Sequence, residues 1–167
     1  MSEDRATEIL KNAILLEKRG YAFYSKVAEQ AKGEAVRKFF RLMAEEETAH
    51  VQILSDQFKF YQANRRFRHS DPQEGGEFTS ATEILTGELK RQISAADYEA
   101  AAIAAAMSME QKAIEVYSRR AAEAQDPDEK ALYGWLASWE KAHLDFLARV
   151  DRELTEEVWN DNRFWPF

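Results

Sequence analysis

Two halves of this chain repeat the same set of side chains that are able to bind metal. Six residues recur at a fixed offset of 93 positions: Glu17, Glu47 and His50 in the first half, and Glu110, Glu140 and His143 in the second. A repeat with a fixed offset indicates a duplicated supersecondary unit. Because helical residues three apart share a face, each Glu-x-x-His motif can direct a carboxylate and an imidazole at one point. Four carboxylates and two imidazoles form a ligand set for two metal ions.

The ligand types limit which metals fit. Four carboxylates carry about four negative charges, which two divalent ions balance, whereas burying them without metal costs several kcal/mol apiece or forces protonation. Mixed carboxylate and imidazole ligation suits iron or manganese better than calcium. The pattern predicts two bridging carboxylates and two Glu–His pairs: Glu47 and Glu140 as bridges, Glu17 with His50, and Glu110 with His143. The alternative is a plain structural bundle whose buried Glu–His pairs are held by hydrogen bonds.

Four long helices must position these residues. Apolar side chains recur at the helical period, with the candidate ligands in the apolar stripe, over about residues 4–32, 34–62, 94–125 and 128–154. Short links make each consecutive pair antiparallel, and the link between the pairs can run the length of the bundle. The predicted fold is therefore all-α: a four-helix bundle with one long crossover between helices two and three.

The links carry recognisable start and stop signals. The first helix is predicted to end with Gly33 at the C′ position, and Pro127 to lie in the first turn of the fourth helix. Within the crossover at 63–93, a polar, turn-rich segment precedes a short helix predicted over about 80–92, with Ser80 as its N-cap.

Length and composition bound the remaining possibilities. With 167 residues we expect one domain over residues 1–157, followed by an aromatic tail, 158–167, packed on the bundle or on a neighbouring subunit. The absence of cysteine excludes disulfides, thiolate zinc sites and iron–sulfur ligation. A net charge of -7 argues against nucleic-acid binding. The charged N-terminus and the lack of a run of ~20 apolar residues predict a cytoplasmic protein without a membrane span.

Two further pairs of repeated residues lie one and two turns beyond the ligands Glu17 and Glu110. Gly20 and Ala113 have small side chains, which we interpret either as leaving room beside the metals for a small molecule, or as allowing close helix–helix approach. Tyr24 and Tyr117 are expected on the ligand face. They either hydrogen-bond groups next to the metals or relay electrons, or they are ordinary core residues.

The repeated Glu-x-x-x-x-x-(Phe/Val)-Tyr and Glu-x-x-His pattern resembles the ferritin-like superfamily, and most closely the di-iron domain of rubrerythrins, over about residues 4–154. The resemblance implies a non-haem di-iron centre that reduces hydrogen peroxide or dioxygen while iron cycles between ferrous and ferric. Rubrerythrins proper carry a rubredoxin module that needs four cysteines. Because this chain has none, the resemblance implies a separate electron donor of the rubredoxin or flavoprotein type. Rubrerythrins usually have an extra Glu where this chain has Ala113.

Other functions are compatible with the same ligands. An iron-binding or storage protein would oxidise ferrous iron and pass it on, and a di-manganese catalase would disproportionate peroxide. We expect a homodimer or a larger homo-oligomer in each case. The rates at which peroxide and dioxygen oxidise the ferrous protein would best distinguish these functions.

Overall fold

The computed structural model describes residues 4–69, 88–89, 91–93 and 98–160. Four long helices account for nearly all of them: α1 (Arg5–Gln30), α2 (Glu34–Asn64), α3 (Tyr98–Glu123) and α4 (Pro127–Asn160). No strand occurs in these ranges. The helix α1 packs along α2, α3 packs along α4, and α1 also contacts α3. The predicted all-α four-helix bundle is confirmed.

The helix boundaries differ in detail from those expected. The helix α4 continues to Asn160, beyond the predicted end at 154, because neither Gly nor Pro interrupts that stretch. Residues 158–160 of the predicted tail are therefore helical, and residues 161–167 lie outside the described residues. Within the predicted short helix, 88–89 and 91–92 are helical, whereas Ser80 lies outside the described part of the chain.

The turn between α1 and α2 is built differently from the prediction. Gly33 is not a left-handed C′ residue, because α1 ends at Gln30 with Ala31 as its C-cap, and Gly33 is the N-cap of α2 with φ -79. Gln92 explains the glycine: its Oε1 accepts a hydrogen bond from the Ala35 N–H at 2.9 Å. A Cβ on Gly33 would collide with that Gln92 oxygen. The crossover thus caps the start of α2, and the glycine makes room for the cap.

The start of α4 follows the prediction. Pro127 is its first residue, and the Oδ1 atom of Asp126 accepts hydrogen bonds from the backbone N–H groups of Asp128 and Glu129 at 2.8 and 3.3 Å. Pro lacks the N–H that would be unpaired at this position, so it begins a helix without cost.

The hydrophobic core is divided into two clusters along the bundle. One contains Phe39, Phe40 and Phe146, and the other contains Leu10 and Leu132. Along each helix the candidate ligands lie between residues of one cluster and residues of the other. The predicted metal ligands therefore occupy the middle of the core. Among the described helices, none is both long and apolar enough to cross a lipid bilayer.

Candidate metal centre

All six predicted ligands converge in the centre of the bundle. Each is at most 3% exposed. Their side chains form two groups, and within each group the ligand atoms lie within 4.8 Å of one another: Glu17, Glu47, His50 and Glu140, and Glu47, Glu110, Glu140 and His143. Two carboxylates, those of Glu47 and Glu140, belong to both groups. The structure thus brings together all six residues, with the two predicted bridging carboxylates in the shared positions.

The two histidines face the carboxylates through the same ring nitrogen. Nδ1 of His50 lies 3.3 Å from Glu17 Oε2 and 3.1 Å from Glu140 Oε1. Nδ1 of His143 lies 3.2 Å from Glu140 Oε2 and 3.6 Å from Glu110 Oε1. The duplicated sequence therefore places matching side chains around one centre, in which Glu140 contacts both imidazoles.

Two tyrosines connect the outer carboxylates across the bundle. The hydroxyl of Tyr24 on α1 donates a hydrogen bond to Glu110 on α3, and the hydroxyl of Tyr117 on α3 donates to Glu17 on α1. Both tyrosines are fully buried. Burial and the nearby Glu110 charge hold the pKa of Tyr24 well above its usual range, so its phenol remains a donor. The hydrogen-bonding role predicted for these residues is present, and each bond orients a candidate ligand.

Gly20 and Ala113 line a small cavity beside the carboxylates, with a volume of about 20 Å³. That volume accommodates one molecule about the size of water. A Cβ on Gly20 would lie 2.9 Å from both Cδ and Oε1 of Glu47. The missing side chain of Gly20 therefore leaves space that the Glu47 carboxylate occupies, and the close approach is to a side chain of α2 rather than to a helix backbone.

Sequence reasoning missed two tryptophans on α4 next to the histidines. The indole N–H of Trp139 donates to Nε2 of His143 at 3.1 Å. The rings of Trp135 and Trp139 lie edge-on to His50, with centroids 5.9 and 5.4 Å away, and 5.0 Å from each other. The available signal was spacing, since Trp139 precedes His143 by one helical turn.

The sequence of this chain matches a known protein family. The family model described as Rubrerythrin matches residues 8–150, which include all six candidate ligands. The chain belongs to the rubrerythrin family. Neither the curated proteins nor the solved structures contain a match to it. Rubrerythrins typically bind two iron ions, and the buried Glu–His cluster of this family member could hold metal.

Burial and mutual contact control the charge of this rubrerythrin-family site. Burial raises the pKa of Glu110 to about 8 and the pKa of Glu17 well above its usual range. Burial alone would also raise the pKa of Glu140, but the adjacent His50 and His143 hold it well below its usual range. The shared carboxylate is therefore ionised, whereas the outer carboxylates take up protons when no cation is present.

The donor atoms fit a pair of metal ions. Oε2 of Glu47 and both oxygens of Glu140 are buried without a hydrogen bond from any residue that the structure describes. A buried acceptor left in this state costs about 1–3 kcal/mol. Two divalent cations would satisfy these oxygens and replace the protons of the outer carboxylates. Carboxylate oxygens combined with imidazole nitrogens suit iron or manganese.

The metal-free rubrerythrin-family protein is expected to lose stability as the pH rises. The pKa of Glu110 is raised from 4.5 to about 8, so its contribution to the free energy of unfolding is fully present below pH 4.5 and is lost as the pH rises through 8. Glu17 acts in the same direction. Urea unfolding of chelator-treated protein, followed by circular dichroism, should show a loss on the order of 2 kcal/mol between pH 6 and pH 9.

The Glu110→Gln variant serves as the control for this pH dependence, because the amide does not titrate. Its unfolding free energy should change less between pH 6 and pH 9 than that of the wild type. Wild-type stability that rises over this interval would contradict the assignment.

Proposed function

We propose that this chain is a non-haem di-iron oxidoreductase that reduces hydrogen peroxide or dioxygen as ferrous iron is oxidised. One observation carries the proposal: four carboxylates and two imidazoles are buried in two groups that share Glu47 and Glu140. When bound there, two ferrous ions supply the two electrons that, with two protons, convert one hydrogen peroxide molecule to two water molecules.

The residues of this chain orient the candidate ligands, exclude bulk water and limit the size of the molecule that can approach the site. Tyr24 and Tyr117 hold the outer carboxylates of Glu110 and Glu17 in place by hydrogen bonds. The apolar clusters on either side exclude bulk water, which strengthens electrostatic interactions within the site. The cavity at Gly20, of about 20 Å³, is too small for an organic substrate.

A ferritin-like role in iron binding and storage is the second candidate. It is favoured by Ala113, which stands where rubrerythrins usually carry an extra Glu, so that the two halves contribute equivalent ligands. A di-manganese catalase would use the same donor atoms. Metal analysis of the purified protein separates iron from manganese, and light scattering separates a dimer from a large shell.

Stopped-flow oxidation tests the function directly. Protein loaded anaerobically with two ferrous ions per chain is mixed with peroxide or with dioxygen, and ferric absorbance is recorded. We expect at least one of the two oxidants to convert both ferrous ions of each chain to ferric iron. Faster reaction with dioxygen followed by release of ferric iron would favour storage, and oxygen evolution by the manganese form would favour a catalase. A two-iron protein inert to both oxidants would refute the proposal.

Turnover needs a supply of electrons from outside this chain. Without cysteine the chain has no rubredoxin-type iron site of its own. We therefore include in the proposal a separate donor of the rubredoxin or flavoprotein type, a cytoplasmic location and a homodimer or larger homo-oligomer.

A further inference from the structure

We propose that the two metal positions are unequal, and that the position at Glu17 and His50 binds a divalent metal more tightly than the position at Glu110 and His143. This inference rests on the metal centre proposed above. The ligands themselves are duplicated, so they predict equal positions. The residues that contact the far side of each imidazole are not duplicated, and they produce the difference.

The chemistry of imidazole sets the requirement. Both histidines face the carboxylates through Nδ1, so Nδ1 is the atom available to a metal. A neutral imidazole that binds metal through Nδ1 carries its proton on Nε2. In protein metal sites that second N–H is normally donated to a carboxylate, a carbonyl or water. A suitable neighbour of Nε2 is therefore a hydrogen-bond acceptor.

At His143 the neighbour of Nε2 is instead a donor. The Trp139 indole N–H, which can only donate, points at Nε2 from 3.1 Å. Such a bond requires an Nε2 without a proton, whereas an imidazole that binds metal through Nδ1 carries its proton on Nε2. A metal at Nδ1 would place two N–H groups against each other unless the indole turned away. The indole is restrained, because its ring packs against both His50 and Trp135.

At His50 no such donor is present. Its Nε2 is buried and has no hydrogen-bond partner in the described part of the chain, so nothing opposes a proton there. The repeat counterpart of Trp139 is Glu46, which lies one helical turn before His50. The Glu46 side chain has no N–H group, and its buried Oε2 has no partner among the described residues. The first half thus has no N–H donor at the position that Trp139 fills in the second half.

Titration with Co²⁺ tests which position fills first. Calorimetry and visible absorption are followed up to two equivalents in wild-type, His50→Ala and His143→Ala proteins. Repulsion between two cations weakens the second binding step wherever it occurs, so unequal steps alone decide nothing. We expect His143→Ala to keep the tight step and His50→Ala to keep only the weak one. The reverse assignment would overturn the inference.

The Trp139→Phe variant tests the cause. It keeps an aromatic ring and deletes the N–H, so the weak step should tighten by about tenfold, at the lower end of the effect of outer hydrogen-bond partners on metal affinity. The tight step should not change. The matched control is Trp135→Phe, because the Trp135 indole packs on Trp139 but donates to neither histidine in the described structure. It should tighten the weak step less than Trp139→Phe does, and an equal tightening would assign the effect to packing rather than to the Trp139 N–H.

The possible results distinguish a failure of the proposed inequality from a failure of the proposed metal centre. An unchanged or weaker second step in Trp139→Phe would refute the indole as the cause, and two wild-type positions of equal affinity would refute the inequality; neither result would refute the metal centre. A wild-type protein that binds no Co²⁺ would refute the metal centre as well. Circular dichroism of the metal-free variants checks folding, and if Trp139→Phe does not fold, the two histidine variants still decide the order of filling.

Discussion

Replacement of Glu140 by glutamine is expected to reduce the iron content of the reconstituted protein from two ions per chain to at most one. Glu140 belongs to both ligand groups, and its two oxygens lie 3.1 and 3.2 Å from Nδ1 of His50 and Nδ1 of His143. Glutamine keeps the volume but removes the negative charge and one of the two acceptor oxygens, so the two positions can no longer share this side chain as a ligand. Metal analysis after anaerobic loading and desalting measures the loss. Oxidation by peroxide should slow at least about a hundredfold, the lower end of the range for loss of a single key interaction.

The matched control is Glu45→Gln, an identical chemical change on α2 next to the cluster. Glu45 is exposed and belongs to neither ligand group. This variant should retain two iron ions and the wild-type oxidation rate. If Glu140→Gln bound two ions with wild-type affinity, Glu140 would not be a shared ligand, and the bridging arrangement would be wrong.

Substitution of Gly20 by alanine is expected to weaken metal binding by at least about tenfold without unfolding the bundle. The new Cβ would lie 2.9 Å from Cδ and Oε1 of Glu47, so this shared carboxylate must move. A displaced ligand costs affinity even though alanine is a better helix former than glycine by about 1 kcal/mol. Co²⁺ titration measures the affinity, and urea unfolding of the metal-free form measures stability.

Gly134→Ala provides the comparison for that variant. Gly134 also lies inside a long helix, but a Cβ there would meet nothing within 4 Å. It should raise the free energy of unfolding by up to about 1 kcal/mol and leave metal binding unchanged. If Gly20→Ala behaved in the same way, the Glu47 carboxylate would be able to shift at no cost, and the glycine would have no role in the site.

The sequence alone predicted the bundle and the six converging residues. Apolar residues at the helical period predicted each helix, and Glu17 or Glu110 within an apolar stripe is a buried carboxylate that needs compensation. The duplication made the metal-site prediction specific. A single Glu-x-x-His motif can arise by chance, whereas several residues that recur at one offset of 93 positions are improbable by chance. Such features are local or periodic, so they can be read without knowing how the helices pack.

Contacts between side chains of different helices could not be predicted from the sequence. Tyr24 and Tyr117 were identified as neighbours of the ligands, but only packing showed that each donates to the carboxylate of the opposite helix. Similarly, the space at Gly20 was expected from its sequence position, whereas its occupation by Glu47 depends on how closely α2 approaches α1.

The sequence by itself determined that two equivalent sets of ligands exist, because duplication copies residue types at a constant spacing. Only the tertiary structure decided that their surroundings differ, through the Trp139 indole at one histidine and, among the described residues, no comparable donor at the other. The physical reason is that a hydrogen bond depends on the position and direction of one N–H relative to a ring nitrogen. Helix packing and side-chain rotamers set that geometry, and residue spacing leaves it undetermined.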